Sequence, residues 1–338
     1  MTDSIWPLDW PVGGGQRAGR AYLKAEPEDF RVDEILPLPP GVAGEHLCLY
    51  IEKRGDNTEY LARQLAALAG CRPMDVSFCG LKDRHAVTRQ WFSLYRPGME
   101  ADDDALIRQI SVQWPVREKT RLARKLRRGD HQANHFRIRL RDVQGEREAI
   151  ESGLERLAVH GCPNYFGTQR FGHQGGNLDQ AARMDPSRMG AGHRRKRRPG
   201  RHNGGGQNAK NVLYFSAARS FLFNEVLARR VADGSWQRMM DGEPEGSGVP
   251  TGPMWGDGGT LASGAQEQLE REVVGHWPSL LRLFADTRMK PERRPLICQP
   301  EGMTWQWSDS GHLNLAFTLP PGQYATTVLG DLFELENA

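Results

Sequence analysis

The stretch NHFRIRLRDV (134–143) alternates apolar and basic side chains at every second position. Because successive side chains of a strand point to opposite faces of a sheet, this pattern predicts a half-buried β-strand with arginines on its open face. The two sets are Phe136, Ile138 and Leu140 on one side and Arg137, Arg139 and Arg141 on the other.

Further strand and helix patterns occur along the chain. Strand-like runs span 30–36, 46–54, 76–80, 89–95 and 312–319, and helical runs span 56–70, 145–161 and 216–234. The composition changes near residue 161, and two Gly-rich segments, 186–212 and 241–260, flank the last helical run. We therefore predict a mixed α/β domain built from 1–160 and 306–338, interrupted by a second α/β unit at 161–305.

The composition is that of an ordinary globular protein, with 38% hydrophobic and 26% charged residues. The N-terminus lacks the basic and apolar regions of a signal peptide, and no run of about 18 apolar residues occurs, so we expect a cytoplasmic protein. The five cysteines lack the spacing of a zinc site or a disulfide framework. We therefore expect reduced thiols and no metal.

Positive charge is concentrated in two segments. Residues 186–212 carry eight Lys and Arg and no acid, and residues 117–128 carry seven with one acid. Because the net charge of the whole chain is only +3, the other residues are net acidic. Two basic segments on an otherwise acidic chain favour a polyanionic partner such as nucleic acid. Two solvated surface segments without a partner are the alternative.

The stretch GLKDRHAVTRQW (80–91) places Asp83 between Lys82 and Arg84, in the connection between two predicted strands. Loops of this kind present side chains to a cleft. Cations beside a carboxylate favour its ionised form, which suits a nucleophile better than a general acid. On these residues alone, three structural interpretations of Asp83 stay open beside the nucleophile: a helix or turn cap, a surface partner of Lys82 or Arg84, and a solvated loop acid.

Seven stretches spread along the chain carry a more specific signal. They are LKAEPEDFRV (23–32), NTEYLARQLA (57–66), GLKDRHAVTRQW (80–91), NHFRIRLR (134–141), PNYFGTQRFG (163–172), SAARSFLFNEVLARR (216–230) and LPPGQYATTVL (319–329). Together, and in this order, they resemble the tRNA pseudouridine synthase D (TruD) family. The resemblance implies a pseudouridine synthase catalytic domain with a largely antiparallel mixed sheet, interrupted by an α/β TRUD insertion domain.

The resemblance also implies roles for seven residues. Asp83 matches the Asp of the G-x-K-D motif, which in this family is the catalytic nucleophile that isomerises a tRNA uridine, typically at position 13, to pseudouridine. The substrate-binding roles fall on Phe30 of the PEDF motif, Asn134 and Phe136 of N-x-F, Tyr324 of G-x-[FY]-A-T, and the basic residues Lys24 and Lys82.

The implied reaction requires the target nucleotide to be flipped out of a structured tRNA. Phe136 would then stack on the uracil, and Asn134 would hydrogen-bond the base or order the loop. Asp83, kept ionised by a nearby lysine, would open the glycosidic bond. Since neither a redox change nor hydrolysis occurs, we expect no metal or organic cofactor. We further expect a monomer that binds tRNA and contacts no membrane.

The chain departs from the family pattern in two places. Gly330, Asp331 and Leu332 stand where members commonly have Arg-Glu-Leu, and the basic segment 186–212 looks longer than usual. We predict that this segment is a mobile arm that adds affinity for the tRNA backbone. Two other function classes stay open: a tRNA-binding or chaperone protein without the reaction, and a glycoside hydrolase, although such enzymes generally pair two acids.

Overall fold

The computed structural model describes residues 6–41, 43–185, 205–285 and 287–337, without the side chains of 205–209 and 337. The chain divides into two compact units. The sheet unit comprises Ala18–Val159, Pro300–Ala325 and Phe333–Ala338, and the helical unit comprises Met1–Arg17, His160–Gln299 and Thr326–Leu332. The two domains predicted from the sequence, with their boundaries near 161 and 305, stay a prediction.

Strands and helices are interspersed along the described chain. The strands are β1 (Gly19–Leu23), β2 (Phe30–Ile35), β3 (His46–Arg54), β4 (Val76–Phe78), β5 (Val87–Tyr95), β6 (Val116–Leu122), β7 (Ala133–Gly145), β8 (Cys162–Pro163), β9 (Thr251–Met254), β10 (Glu292–Pro295), β11 (Ile297–Cys298), β12 (Glu301–Trp307), β13 (Leu313–Leu319) and β14 (Phe333–Asn337). The helices are α1 (Thr58–Leu68), α2 (Asp103–Ser111), α3 (Arg147–His160), α4 (Gly176–Arg183), α5 (Gly205–Ala232), α6 (Gly264–Gly275), α7 (Pro278–Leu281) and α8 (Ala325–Leu332).

The sheet unit is built on one mixed sheet. Its strands run in the order β12-β13-β7-β2-β5-β3-β6, with β1 pairing with both β7 and β14, and β4 pairing with β5. The pairs β2–β5 and β1–β14 are parallel, and the other pairs of this sheet are antiparallel. This largely antiparallel arrangement, together with the flanking helices, confirms the predicted mixed α/β fold class.

The pairing register assigns the side chains of the central strands to two faces. Phe136 of β7 lies opposite Val32 of β2, and Arg137 lies opposite Arg31. Phe136 is 7% exposed, whereas Arg137 is exposed to solvent. We name the side that carries Phe136 the buried face and the side that carries Arg137 the open face. The alternation predicted for 134–143 is therefore confirmed.

Helix α1 packs on the buried face close to the end of β3. Asn57 caps it by accepting the backbone N–H groups of Glu59 and Tyr60. Leu61 and Leu65 are fully buried in the cluster that α1 and α2 form with β3 and β5. The predicted helix and its apolar stripe are confirmed, and the cap fixes where α1 starts relative to the sheet.

The helical unit is organised around α5. Phe221 of this helix is fully buried, and its ring centre lies 4.8 Å from that of Trp277 and 5.3 Å from that of Trp6. The aromatic contacts and the surrounding aliphatic side chains give this unit a core of its own.

Two segments differ from the sequence-based predictions, and a third pairs with a distant part of the chain. Helix α5 already begins at Gly205, so residues 205–212 of the predicted Gly-rich arm are helical, and residues 186–204 lie outside the described residues. The predicted loop 241–260 contains strand β9. The tail after 324 forms α8 and then β14, which pairs with β1 from the opposite end of the chain. Local patterns do not encode such a pairing.

Candidate active site

Asp83 lies in the loop that connects β4 to β5, and buried side chains hold the backbone of this loop. Gln90 donates from Nε2 to the carbonyl of Gly80 at 3.0 Å, and the amide of Lys82 donates to Thr58 Oγ1 at 3.0 Å. The Thr58 hydroxyl in turn donates to Gln90 Oε1 at 3.0 Å, and both side chains are fully buried. The loop is therefore positioned by rigid elements of the sheet unit.

The Asp83 carboxylate faces both solvent and a cation. Its side chain is 53% exposed, and its Oδ2 lies 3.4 Å from Nζ of Lys24. Lys24 has a left-handed backbone conformation (φ 60°), which is uncommon outside glycine and is typical of functional sites. Its ammonium lies 4.1 Å from the centre of the Phe30 ring, a cation–π contact that orients the side chain. This accessible and cation-paired carboxylate is suited to nucleophilic attack.

Lys82 pairs with a buried glutamate instead of Asp83. Its Nζ lies 2.7 Å from Oε2 of Glu34, and the two side chains are 5% and 0% exposed. Arg84, the other cation that flanks Asp83 in sequence, donates from Nε to the carbonyl of Gly55 at 3.3 Å. The cation beside Asp83 therefore comes from a distant part of the chain, and the flanking cations support the loop.

Three phenylalanines form a row on the buried face. The ring centres of Phe30 and Phe136 are 6.0 Å apart, and those of Phe136 and Phe317 are 5.6 Å apart. Phe30 and Phe317 are 2% and 0% exposed, whereas Phe136 keeps 7%. Phe136 is therefore the member of the row with the largest accessible area, and Phe30 supports both Phe136 and Lys24.

Asn134 lies opposite Glu34 in the β2–β7 pairing and shares its face of the sheet. Its Nδ2 lies 3.3 Å from Nε2 of His131, while its buried Oδ1 has no hydrogen-bond partner among the described residues. Burial and the nearby charge of Lys82 lower the pKa of His131, and Glu34 opposes this shift. A buried amide oxygen without a partner is available to accept an N–H from a ligand.

Tyr324 is half-buried and comes directly before α8. Among the described residues, it makes no ring contact or hydrogen bond with the other predicted site residues. Direct contacts join Lys24 to Asp83 and to Phe30, and join Phe30 to Phe136. The structure thus brings four of the seven predicted residues into one chain of contacts.

The family resemblance assigned no role to Lys53, Thr58 or Gln90, whose buried side chains hold the loop that carries Asp83. Lys53 is 1% exposed and donates to the backbone carbonyl of Asp83 at 2.8 Å. A signal for it was present in the sequence, because Lys53 follows Ile51 by two positions in a strand and therefore shares its buried face. Nothing local indicated which loop its ammonium would reach.

Gly330 and Asp331, which replace the Arg-Glu common in the family, lie in α8 of the helical unit. Asp331 is buried, and its Oδ1 accepts the backbone N–H of Gly13 at 2.6 Å. The carbonyl of Gly330 accepts a hydrogen bond from Nε of Arg17 at 2.9 Å. At these positions the chain therefore holds its N-terminal segment within the helical unit.

Metal-ligand clusters and membrane helices are both missing from the part of the chain that the structure describes. These residues contain no group of three or more His, Cys, Asp or Glu side chains that could hold a metal ion. The described helices include none whose length and mean hydropathy suit a membrane crossing. All five cysteines are free thiols, as predicted.

Comparison with known proteins places the chain in a family. The model of the family described as tRNA pseudouridine synthase D (TruD) matches residues 16–180 and 244–332. A tRNA pseudouridine synthase D from Marinobacter nauticus is 63% identical over 99% of this chain and 97% of its own length. One from Pseudomonas putida is 42% identical over 97% of this chain and 95% of its own length.

A solved structure adds support for the fold. The putative tRNA pseudouridine synthase D from Methanosarcina mazei superimposes with a TM-score of 0.65 at 21% sequence identity, over 93% of both chains. The fold and the sequence matches together define a pseudouridine synthase, an enzyme of the isomerase class. The chain belongs to the tRNA pseudouridine synthase D family, as its motifs predicted.

Proposed function

We propose that the protein isomerises a uridine of tRNA, at position 13 as the family resemblance implies, to pseudouridine with Asp83 as the nucleophile. The observation that carries this proposal is the Lys24–Asp83 ion pair on a loop held by buried side chains. The carboxylate is accessible to a substrate, and the ammonium of Lys24 lies beside it.

The reaction that we propose exchanges one bond to the ribose for another. The bond between N1 of uracil and C1′ breaks, the base rotates, and C5 bonds to C1′. C5 loses its proton and N1 gains one, so the product is an isomer of the substrate. Attack of Asp83 on the sugar and elimination assisted by Asp83 both satisfy this balance, and no cofactor is required by either.

Recognition of the flipped base falls to the residues around Asp83. Phe136 keeps the largest accessible area of the three phenylalanines and would stack on the uracil, and the unbonded Oδ1 of Asn134 offers an acceptor for a uracil N–H. Phe30 acts through Lys24 and Phe136, because its own ring is buried. We propose that Tyr324 and Lys82 complete the substrate site, Lys82 through its pair with Glu34.

The open face supplies a candidate surface for the tRNA backbone. A cavity of about 550 Å³ lies there, and three arginines and one acid line it, namely Arg31, Arg137, Arg139 and Glu28. The acid is already bound by Arg54, which leaves the cavity net positive. Arginines on an open surface bind phosphates through counterion release. We propose that a cytoplasmic monomer binds tRNA partly through this surface and partly through the basic segments.

Two other acids lie in the segments that hold the Asp83 loop, and the carboxylates of both have partners. Asp56 accepts the indole N–H of Trp114, and Glu34 is buried and paired with Lys82. A general acid must be able to reach the glycosidic oxygen and give up a proton. Since Asp56 and Glu34 are both held by other side chains, the isomerase proposal is favoured over a hydrolase.

The replacement Asp83→Asn tests the proposal against a binding protein without chemistry. We expect pseudouridine to disappear from the tRNA, as mapped by mass spectrometry, while tRNA affinity stays within a few fold. Asp309→Asn, at an exposed acid in the β12–β13 turn, is the matched control and should leave both quantities unchanged. Full pseudouridine formation by Asp83→Asn would exclude Asp83 as the nucleophile. If the wild-type protein formed no pseudouridine, the alternative of a tRNA-binding protein without the reaction would be favoured.

A further inference from the structure

Lys53 is a buried cation beneath the nucleophile loop. It is the next-to-last residue of β3, it is 1% exposed, and it faces the same side of the strand as Ile51. Burying an ammonium is costly unless its donors are satisfied and its charge is compensated. A lysine at this position therefore calls for an explanation beyond packing.

The contacts of Lys53 join two loops. Its Nζ donates to the backbone carbonyl of Asp56, in the loop that leads into α1, and to that of Asp83, each at 2.8 Å. The Asp56 carboxylate accepts the indole N–H of Trp114 at 2.8 Å. The ammonium is thus bonded to neutral carbonyls, and it ties the Asp83 backbone to the start of α1.

The charges that face Lys53 come from both loops. Burial lowers the pKa of Lys53 to about 8, Asp83 and Asp56 oppose this shift, and Lys82 adds to it. The ammonium of Lys53 is almost inaccessible to solvent, whereas the Asp83 side chain is half exposed, so solvent screens part of the attraction between them. Protonated Lys53 attracts the charge of Asp83 from the inner side of the loop, and Lys24 pairs with the carboxylate from the outer side.

We propose that Lys53 is a positioning residue for the isomerisation, which fixes the backbone of Asp83 and places a buried positive charge near its carboxylate. The proposal rests on the function proposed above. Its physical basis is that the Asp83 side chain is half exposed, so the direction of attack depends on the backbone that carries it. Small displacements of a reacting group reduce rates strongly.

The replacement Lys53→Met tests this role at saturating tRNA under single-turnover conditions. We expect the rate of pseudouridine formation to fall on the order of tenfold to a hundredfold. The Kd for tRNA should stay within about twofold, because a buried side chain does not touch RNA. Lys290→Met, at an exposed lysine of the helical unit, is the matched control and should change neither value.

The pH profile separates positioning by a charged lysine from simple packing. Since Lys53 is protonated below its pKa, the wild-type rate should decline as pH rises through about 8. That decline should be absent from Lys53→Met. It should move to higher pH in Lys53→Arg, because a guanidinium stays charged throughout this range. If Lys53→Met does not fold, as judged by circular dichroism, the profile of Lys53→Arg decides alone.

The outcomes keep the two proposals apart. The role of Lys53 is overturned if the wild-type protein forms pseudouridine and Lys53→Met has the same rate and the same pH profile. The proposed function would then still stand. An unmoved decline in Lys53→Arg overturns it as well. A wild-type protein that forms no pseudouridine overturns the proposed function, and the positioning role with it.

Discussion

Two neighbouring acids of β2, Asp33 and Glu34, show how differently the two faces of the sheet use charge. Asp33 lies on the open face, is 22% exposed, and bonds Arg137 at 2.6 Å. Glu34 lies on the buried face, is 0% exposed, and bonds Lys82 at 2.7 Å and the backbone N–H of Trp91 at 3.0 Å. These two acids are adjacent in the strand, yet the ion pair of Asp33 is open to exchange with solvent and that of Glu34 is fixed.

This contrast separates buried charges, which position the loop, from exposed charges, which are open to ligands. Buried charges have partners that they cannot exchange for water or salt, so they determine the geometry of the loop that carries Asp83. Exposed arginines exchange partners at little cost, so they are available to phosphates. Removing a buried charge should therefore affect stability and rate, and removing an exposed one should affect affinity and its salt dependence.

The largest effect is expected from Glu34→Gln. It leaves the Lys82 ammonium buried without its counter-charge and should lower the free energy of unfolding by about 3–5 kcal/mol. Asp33→Asn, one position away on the open face, should cost at most about 1 kcal/mol. Urea denaturation of both variants measures the contrast, and equal costs would show that the two faces do not differ as described.

A smaller effect, on rate, is expected from Lys24→Met. Loss of the cation that pairs with Asp83 should lower kcat on the order of a hundredfold, comparable with removing one charge-stabilising donor from an active site. Lys24→Arg keeps the charge and should recover part of the rate. Single-turnover pseudouridine formation measures both, and a rate within twofold of wild type for Lys24→Met would remove Lys24 from the mechanism.

The smallest effect is expected from the open face. Arg31→Gln combined with Arg139→Gln should weaken tRNA binding and reduce the slope of log Kd against log salt by about one for each phosphate that is no longer bound. The rate at saturating tRNA should not change, because these arginines lie on the face opposite Phe136. Arg72→Gln, at an exposed arginine paired with Asp75, is the control. An unchanged salt slope would exclude this surface from tRNA binding.

Much of this organisation was predictable because it depends on local patterns. The alternation in 134–143 assigned residues to the two faces, and Asn57 with its following leucines predicted α1. The family motifs pointed to Asp83, Lys24 and Phe136. These features depend on side chains a few positions apart, whose relative directions the backbone period fixes.

The partners of those residues were not predictable in the same way. From sequence, Lys82 and Arg84 were the cations closest to Asp83, yet Lys24 makes the ion pair and Lys53 holds the backbone. Lys24 follows β1 and Lys53 ends β3, and the sheet brings both to the loop through pairings between distant segments.

The order of residues alone was enough to predict the alternating strand at 134–143, helix α1, the family, and Asp83 as the candidate nucleophile. The folded chain was needed to show which cation accompanies Asp83, that Phe30 is buried, and that Lys82 is paired with Glu34. The physical reason is that a buried charge takes whatever partner the fold places beside it, and that neighbour is set by strand pairing between distant segments.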